Sequence, residues 1–239
     1  MKPIKRFAGI GTRPGKLPDD IAVLQVGASF ILTHVCGFLG ESGEALGSDR
    51  NFLLGSKQGC FRIHESRRGA SKMPEGVYTD GKAILNESHR LIVDSGVATL
   101  KEFRGFKEST RLLWQRNPFQ VLGPDLKDPV NFVLCHTPDG CISHETYQRG
   151  LTGGTGVAIA IASRHNIPVF NTQRDDHRER IHRLVNKYLN FDTRMQLTIL
   201  QHLRAHAPVA RKRELITTFL MNQLEMNKDA EVHQSLSMS

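Results

Sequence analysis

A chain of 239 residues with 39% hydrophobic content is long enough for one sizeable α/β domain, or one domain with an appendage. Its net charge of +8 and pI near 9.5 favour polyanionic partners, nucleic acid or nucleotides foremost, although the basic residues are dispersed apart from Arg67-Arg68 and Arg211-Lys212-Arg213. No apolar run approaches the ~20 residues of a membrane span, and MKPIKRFAGI lacks the apolar core of a secretory signal. Cys36, Cys60, Cys135 and Cys141 show no disulfide-framework spacing. The expected setting is the cytoplasm, with no membrane partner.

Arg6–Gly11 reads as a short strand entering a glycine turn. Pro18 to Val35 reads as a helix, with Asp19-Asp20 in the first turn and Gly37 as its stop. Phe38-Leu39 reads as a very short strand, followed by the polar, glycine-rich loop GESGEALGSD. Ser48 or Asp49 caps a helix expected to run to about Gln58, and CFRI reads as a third strand. Residues 65–81 read as a long mobile loop. Helices are expected over Lys82–Phe103 and Glu108–Trp114, then a buried strand over NFVLCH, a turn at TPDG, a helix over Val157–Arg164, and a last strand in IPVFN. Beyond Asn171 the pattern is helical: Asp175–Leu189, Thr193–Ala205 and Arg211–Met226, then a disordered tail. Met195, Ile199, Leu200 and Leu203 form one apolar stripe; Leu215, Ile216, Phe219, Leu220 and Leu224 form another. Packing within the chain explains the stripes, and a subunit interface is the alternative.

Strands alternating with helices imply a doubly wound, Rossmann-like parallel sheet with helices on both faces and a C-terminal helical extension, divided as 1–172 and 173–239. In such sheets ligands sit beyond the carboxyl ends of the strands. The glycine loops are therefore the candidate site. In TGGTG, Gly153 and Gly154 permit close approach and positive φ, Thr152 and Thr155 offer hydroxyls, and the amides open a helix, a pattern suited to phosphate. GIGTRPG has the first two glycines of a dinucleotide fingerprint, with the third one place late, and GSKQG is not a Walker loop. Arg13 is placed either to pair with phosphate or as an ordinary surface arginine. Asp139 is either turn chemistry or an acceptor for a sugar hydroxyl. Cys135, His136, Cys141 and His144 lack clean metal-ligand spacing, and the His202/His206 pair stands alone, so neither a metal nor a cofactor is expected.

The blocks FAGIGTRP, GFLGESGEALGSDRNF, RNPFQVLGPDL–PVNFVLCHTPDG and GGTGVAIAIASRHNIPVFN, taken in order over residues 6–172, resemble the DprA-like branch of the SLOG superfamily, the DNA recombination-mediator protein A-like proteins. The resemblance implies a phosphate crevice at the strand ends. It maps onto Gly9, Gly11, Thr12 and Arg13; Ser42, Gly43, Gly47 and Asp49; Arg116, Asn117 and Gln120; Thr137, Asp139 and Gly140; and Gly153, Gly154, Thr155 and Gly156, with Thr152 beside them. The chain departs from that pattern at Glu41-Ser42-Gly43-Glu44-Ala45, where related sequences tend to have Arg-Ser-Gly-Gly-Ala, and at His136, where tryptophan is usual. In the superfamily's phosphoribohydrolases a loop glutamate helps cleave the N-glycosidic bond; here that position is Ala160, and Val157 replaces a threonine.

The expectation is a non-catalytic protein that binds nucleotide or single-stranded nucleic acid. The alternatives are a nucleotide N-glycosidase using Glu41, Glu44 or Asp139, and a module that senses or sequesters a small nucleotide signal. A homo-oligomer is expected, through the C-terminal helices.

Overall fold

The computed structural model describes residues 4–43, 45–65, 76–77 and 82–237. Six parallel strands form one sheet: β1 (Arg6–Gly11), β2 (Leu39–Ser42), β3 (Phe61–His64), β4 (Gly76–Val77), β5 (Phe132–His136) and β6 (Val169–Asn171). Their order is β4-β3-β2-β1-β5-β6. The chain winds outward from β1 through β2 to β4, then returns to place β5 on the other side of β1. The order reverses there, between β1 and β5, which run in register from Phe7↔Phe132 to Gly11↔His136. The fold is thus the doubly wound α/β class expected.

One face of the sheet carries α1 (Asp19–Phe30), α2 (Ser48–Gly55), α8 (Asp175–Asn186), α9 (Thr193–Arg204) and α10 (Val209–Ser237). The other carries α3 (Lys82–Asp94), α4 (Leu100–Gly105), α5 (Glu108–Gln115), α6 (Asn117–Leu122) and α7 (Thr155–Arg164). Every residue of α1 from Ile21 to Phe30 is buried, because the sheet covers one side of it and the C-terminal helices the other. A helix covered all round needs no polar stripe, and DDIAVLQVGASF has almost none past its first turn. Met195, Ile199, Ile216, Leu220 and Leu224 join Phe7, Leu24 and Phe52 in one cluster, so the stripes of α9 and α10 are buried within this chain. The boundary at residue 172 divides the sequence but not this core.

Several elements differ from the sequence reading. The first helix ends as α at Phe30 and continues as a wider π turn over Ile31–Val35, closed by the Cys36 amide donating to the Ile31 carbonyl at 3.0 Å. β2 extends through Glu41 and Ser42, which look like loop residues until their tertiary partners are known. The N-cap of α2 is Gly47 at φ +100°, not Ser48 or Asp49; a Cβ there would lie 2.3 Å from the Thr12 carbonyl oxygen. The helix expected over Lys82–Phe103 is broken into α3 and α4 at Gly96 (φ +79°), and Thr99 restarts it with a capping box to Glu102. α10 runs to Ser237 instead of giving way to a disordered tail after Met226, since no Gly or Pro interrupts that stretch. Of the expected loop 65–81, only Glu65, Gly76 and Val77 fall within the described residues, the last two as the edge strand β4.

Candidate functional site

A crevice of about 520 Å³ opens at the point where the strand order reverses, within the ordinary range of small-molecule sites. Gly11, Thr12 and Arg13 from the end of β1 form one wall, and Thr152 to Thr155 the facing wall. Asp49 from α2 closes one end. Trp114, Arg116 and Asn117, where α5 meets α6, close another.

The first turn is held by short range chemistry. Gly11 has φ +151°, and a Cβ on it would lie 2.7 Å from the His136 carbonyl oxygen, so only glycine lets β1 and β5 stay this close. The Thr12 hydroxyl donates to that same carbonyl at 2.9 Å, and His136 Nδ1 lies 2.9 Å from the hydroxyl. Nε2 of His136 faces the Gln173 side chain at 3.3 Å. Burial pushes the His136 pKa down, against weaker upward pulls from Gln173 and Asp20, so the ring is a neutral strut joining β1, β5 and the end of β6.

Asp49 is buried with one carboxylate oxygen accepting the Gly11 amide at 3.2 Å and the other 3.7 Å from Arg116 Nη2. Burial pushes its pKa up; Arg116 and the amides of Gly11, Ala45 and Gly43 pull the other way and do not overcome it. Gly43 is needed beside it, because a Cβ there would lie 2.6 Å from both the Arg116 guanidinium carbon and the Gln120 amide nitrogen.

The closing loop is tied on both sides. Thr152 donates its hydroxyl to the Asp139 carboxylate and accepts the Gln148 amide at 2.9 Å. Asn117 Nδ2 donates to the Gly154 carbonyl at 2.9 Å. Gly153 adopts φ +70°, whereas Gly154, the N-cap of α7, has φ −65° and needs no left-handed freedom. The amides of Gly153, Gly154 and Thr155, just before and at the start of α7, donate to no other backbone group among the described residues. Arg13 and Lys16 are exposed on the opposite lip.

Eleven of the residues expected to bind ligand line this crevice: Gly11, Thr12, Arg13, Asp49, Arg116, Asn117, Gln120, Thr152, Gly153, Gly154 and Thr155. The rest of that set lies behind it and shapes it. Gly9 accommodates the Phe52 ring, Ser42 donates to the Gly9 carbonyl, and Gly156 accommodates Tyr147. Thr137 is fully buried, accepting from Asn171 Nδ2 at 2.7 Å, and Gly140 turns the chain at φ +67°. Asp139 holds Thr152 rather than facing the crevice, and its other oxygen accepts the Cys141 amide at 3.4 Å.

Glu41 is not brought to the crevice. It is fully buried on β2, 2.9 Å from His64 Nε2, 3.2 Å from Arg62 Nη1 and 3.7 Å from Arg6 Nη1. Glu44 lies outside the described residues. Cys135 and Cys141 are buried with their pKa values pushed up by burial, so both stay protonated thiols. Among the described residues no group of three or more His, Cys, Asp or Glu is placed to hold a metal ion, and no helix is long and apolar enough to cross a membrane.

Sequence reasoning missed Trp114, Lys16 and Leu151 as lining residues. Trp114 carried a usable signal: it is the one tryptophan in the chain and stands two places before Arg116-Asn117. A larger hollow, about 710 Å³, lies between α3, α4 and α5, away from every strand end and glycine loop. Searches against protein-family models, curated proteins and solved structures find no match to this chain.

Proposed function

We propose that this chain is a SLOG-type protein of the DprA-like kind that holds the phosphate of a nucleotide or single-stranded nucleic acid in the β1/β5 crevice without cleaving it. The observation that carries the reading is the convergence, at a single strand-order reversal, of two exposed cations (Arg13 and Lys16) with the amino end of α7. Aligned amides and the helix dipole favour an anion, and guanidinium pairs with phosphate bidentately. The net charge adds a salt-sensitive attraction for a strand. Titration with a short single-stranded oligonucleotide at low and moderate salt tests it: binding that weakens with salt is expected, and no binding at either salt overturns the strand form of the reading.

One observation favours a second reading, a nucleotide N-glycosidase. Asp49 is a buried carboxyl in the crevice whose pKa is pushed up, the condition for a general acid beside a glycosidic bond. Ala160, fully buried on α7, supplies no carboxylate where the cleaving relatives have theirs. Incubation with a panel of nucleoside monophosphates and measurement of free base separates the two readings, release of base favouring the enzyme.

A further inference from the structure

Next to the crevice, and sharing Trp114, Gly150, Gly153 and Gly154 with it, lies a notch of about 540 Å³ whose remaining walls hold no expected site residue. Its walls are aromatic. Phe106 meets Trp114 edge to face at 4.8 Å between ring centres, and Phe106 is itself braced by the buried Phe103 at 6.1 Å. Tyr147 is seated against α7, where Gly156 leaves room for its ring: a Cβ at that position would lie 2.5 Å from it. All three rings are only half-buried, so they keep open surface.

The two hollows differ in charge. The crevice presents the cations Arg13 and Lys16 beside the amides of α7. In the notch, Arg149 is neutralised by Glu102 at 2.7 Å. The ridge between them is low: Gly150 and Gly153 have positive φ and nothing within 4 Å of where a Cβ would stand. A ligand with an anionic end and a flat apolar end fits this division, and a phosphate-linked nucleobase has both.

We infer that the notch is a nucleobase subsite, in which a base stacks on the rings of Trp114 and Tyr147 while its phosphate lies in the crevice across Gly153. The inference rests on the phosphate-binding reading and adds to it the class of group attached to the phosphate. Stacking on an aromatic face accepts any base, so little sequence preference follows.

Three probes are titrated by calorimetry into the full chain: ribose 5-phosphate, thymidine 5′-monophosphate and an eight-residue oligothymidylate. The base-bearing probes are expected to bind about 5- to 150-fold more tightly than ribose 5-phosphate, the usual worth of one stacked base. Tyr147→Leu, outside the crevice lining, should bring them down toward ribose 5-phosphate and leave ribose 5-phosphate itself unchanged. Should that variant not fold, Phe106→Leu is the second, and the wild type carries its own reporter. Trp114 is the one tryptophan, so its fluorescence should be quenched by the thymine-bearing probes and not by ribose 5-phosphate. Tight binding by the monophosphate identifies a free nucleotide as the source of the base and upholds the subsite; binding by the oligonucleotide alone identifies a strand, and upholds the subsite if Tyr147→Leu weakens it and overturns the subsite if that variant does not. Equal affinity for all three probes overturns the subsite and leaves the phosphate site standing. No binding by any of them overturns the phosphate reading and the subsite with it.

Discussion

Replacing Glu41 with Gln tests whether this carboxylate serves the core or the chemistry. The side chain is fully buried and meets three cationic or potentially cationic groups: His64, Arg62 and Arg6. Removing one partner of a buried ion pair costs about 3–5 kcal/mol, because the remaining charge is left in a poorly solvated site. Two features reduce the cost here. Arg62 is 31% exposed and can turn to water, and Arg6, although only 4% exposed, also pairs through Nη2 with Asp128, which is 67% exposed. The lower end, about 3 kcal/mol, is therefore expected, and for a chain of this length about 2–4 °C of melting temperature accompanies each kcal/mol, giving a fall of about 6–12 °C. Thermal unfolding followed by circular dichroism measures it. Oligonucleotide affinity below the transition should be unchanged, because Glu41 does not line the crevice. A variant that melts within about 2 °C of wild type, or that keeps its stability and loses binding, refutes the structural assignment.

Gly11→Ala forces a Cβ to 2.7 Å from the His136 carbonyl at φ +151°, and a loss of about 2–4 kcal/mol in urea unfolding is expected from overpacking and backbone strain together. Arg13→Ala, on an exposed side chain, should leave stability unchanged, weaken oligothymidylate uniformly, and reduce the slope of log affinity against log salt by about 0.7. Deleting the chain beyond Thr172 uncovers the faces of α1 and α2 that α8–α10 bury, so the fragment should aggregate; a monomeric, cooperatively melting fragment contradicts the single shared core. Acid should destabilise the protein. Burial lowers the pKa values of His34 (to about 4), His89, His136, His177 and His182 below the ordinary 6.5. The unfolded chain therefore binds more protons than the folded one across that window, and stability falls as pH drops from 6.5 toward 4. Asp49 opposes this, since its raised pKa makes its ionisation a cost that grows as pH climbs above 3.8, but it is one group against five. Melting temperatures at pH 7.5, 6.5, 5.5 and 4.5 decide the sign, and a flat or rising series toward acid contradicts it.

How much of this was legible from the chain depended on whether the governing contacts were local. TGGTG, the slim helix of Ala158, Ala160 and Ala162, and the strands on either side carry their signals within a few residues, and the structure places them nearly where expected. Propensity alone ends β2 early, because Glu41 and Ser42 are poor strand residues. What keeps them in the sheet is Arg6 and His64, 35 and 23 positions away in sequence, and the Gly9 carbonyl. α6 escaped notice because six residues beginning Asn-Pro show too little periodicity, yet it delivers Asn117 to the closing loop. The break between α3 and α4 was readable in Gly96 and in Thr99 followed by Glu102, a capping box that an apolar run of helical period conceals. The aromatic notch was beyond reach, because Phe106, Trp114 and Tyr147 adjoin only once α4, α5 and the loop before α7 are stacked.

The proposed phosphate site draws on what the crevice's polar side chains already do. Thr152 is committed to Asp139, Asn117 to the Gly154 carbonyl, and the Thr12 hydroxyl to the His136 carbonyl. Each of these bonds fixes a piece of backbone, and together they hold the amides of Gly153 to Thr155 opposite Arg13 and Lys16 before any ligand arrives. Donors fixed in advance favour the proposed anion site, since preorganisation lowers the entropy lost on binding. Asp49 is the exception that keeps the enzyme reading alive, and even there one oxygen accepts the Gly11 amide and the other faces Arg116. Its geometry is that of a group pinning the turn after β1 to α2, so a catalytic role would require those contacts to loosen as substrate enters.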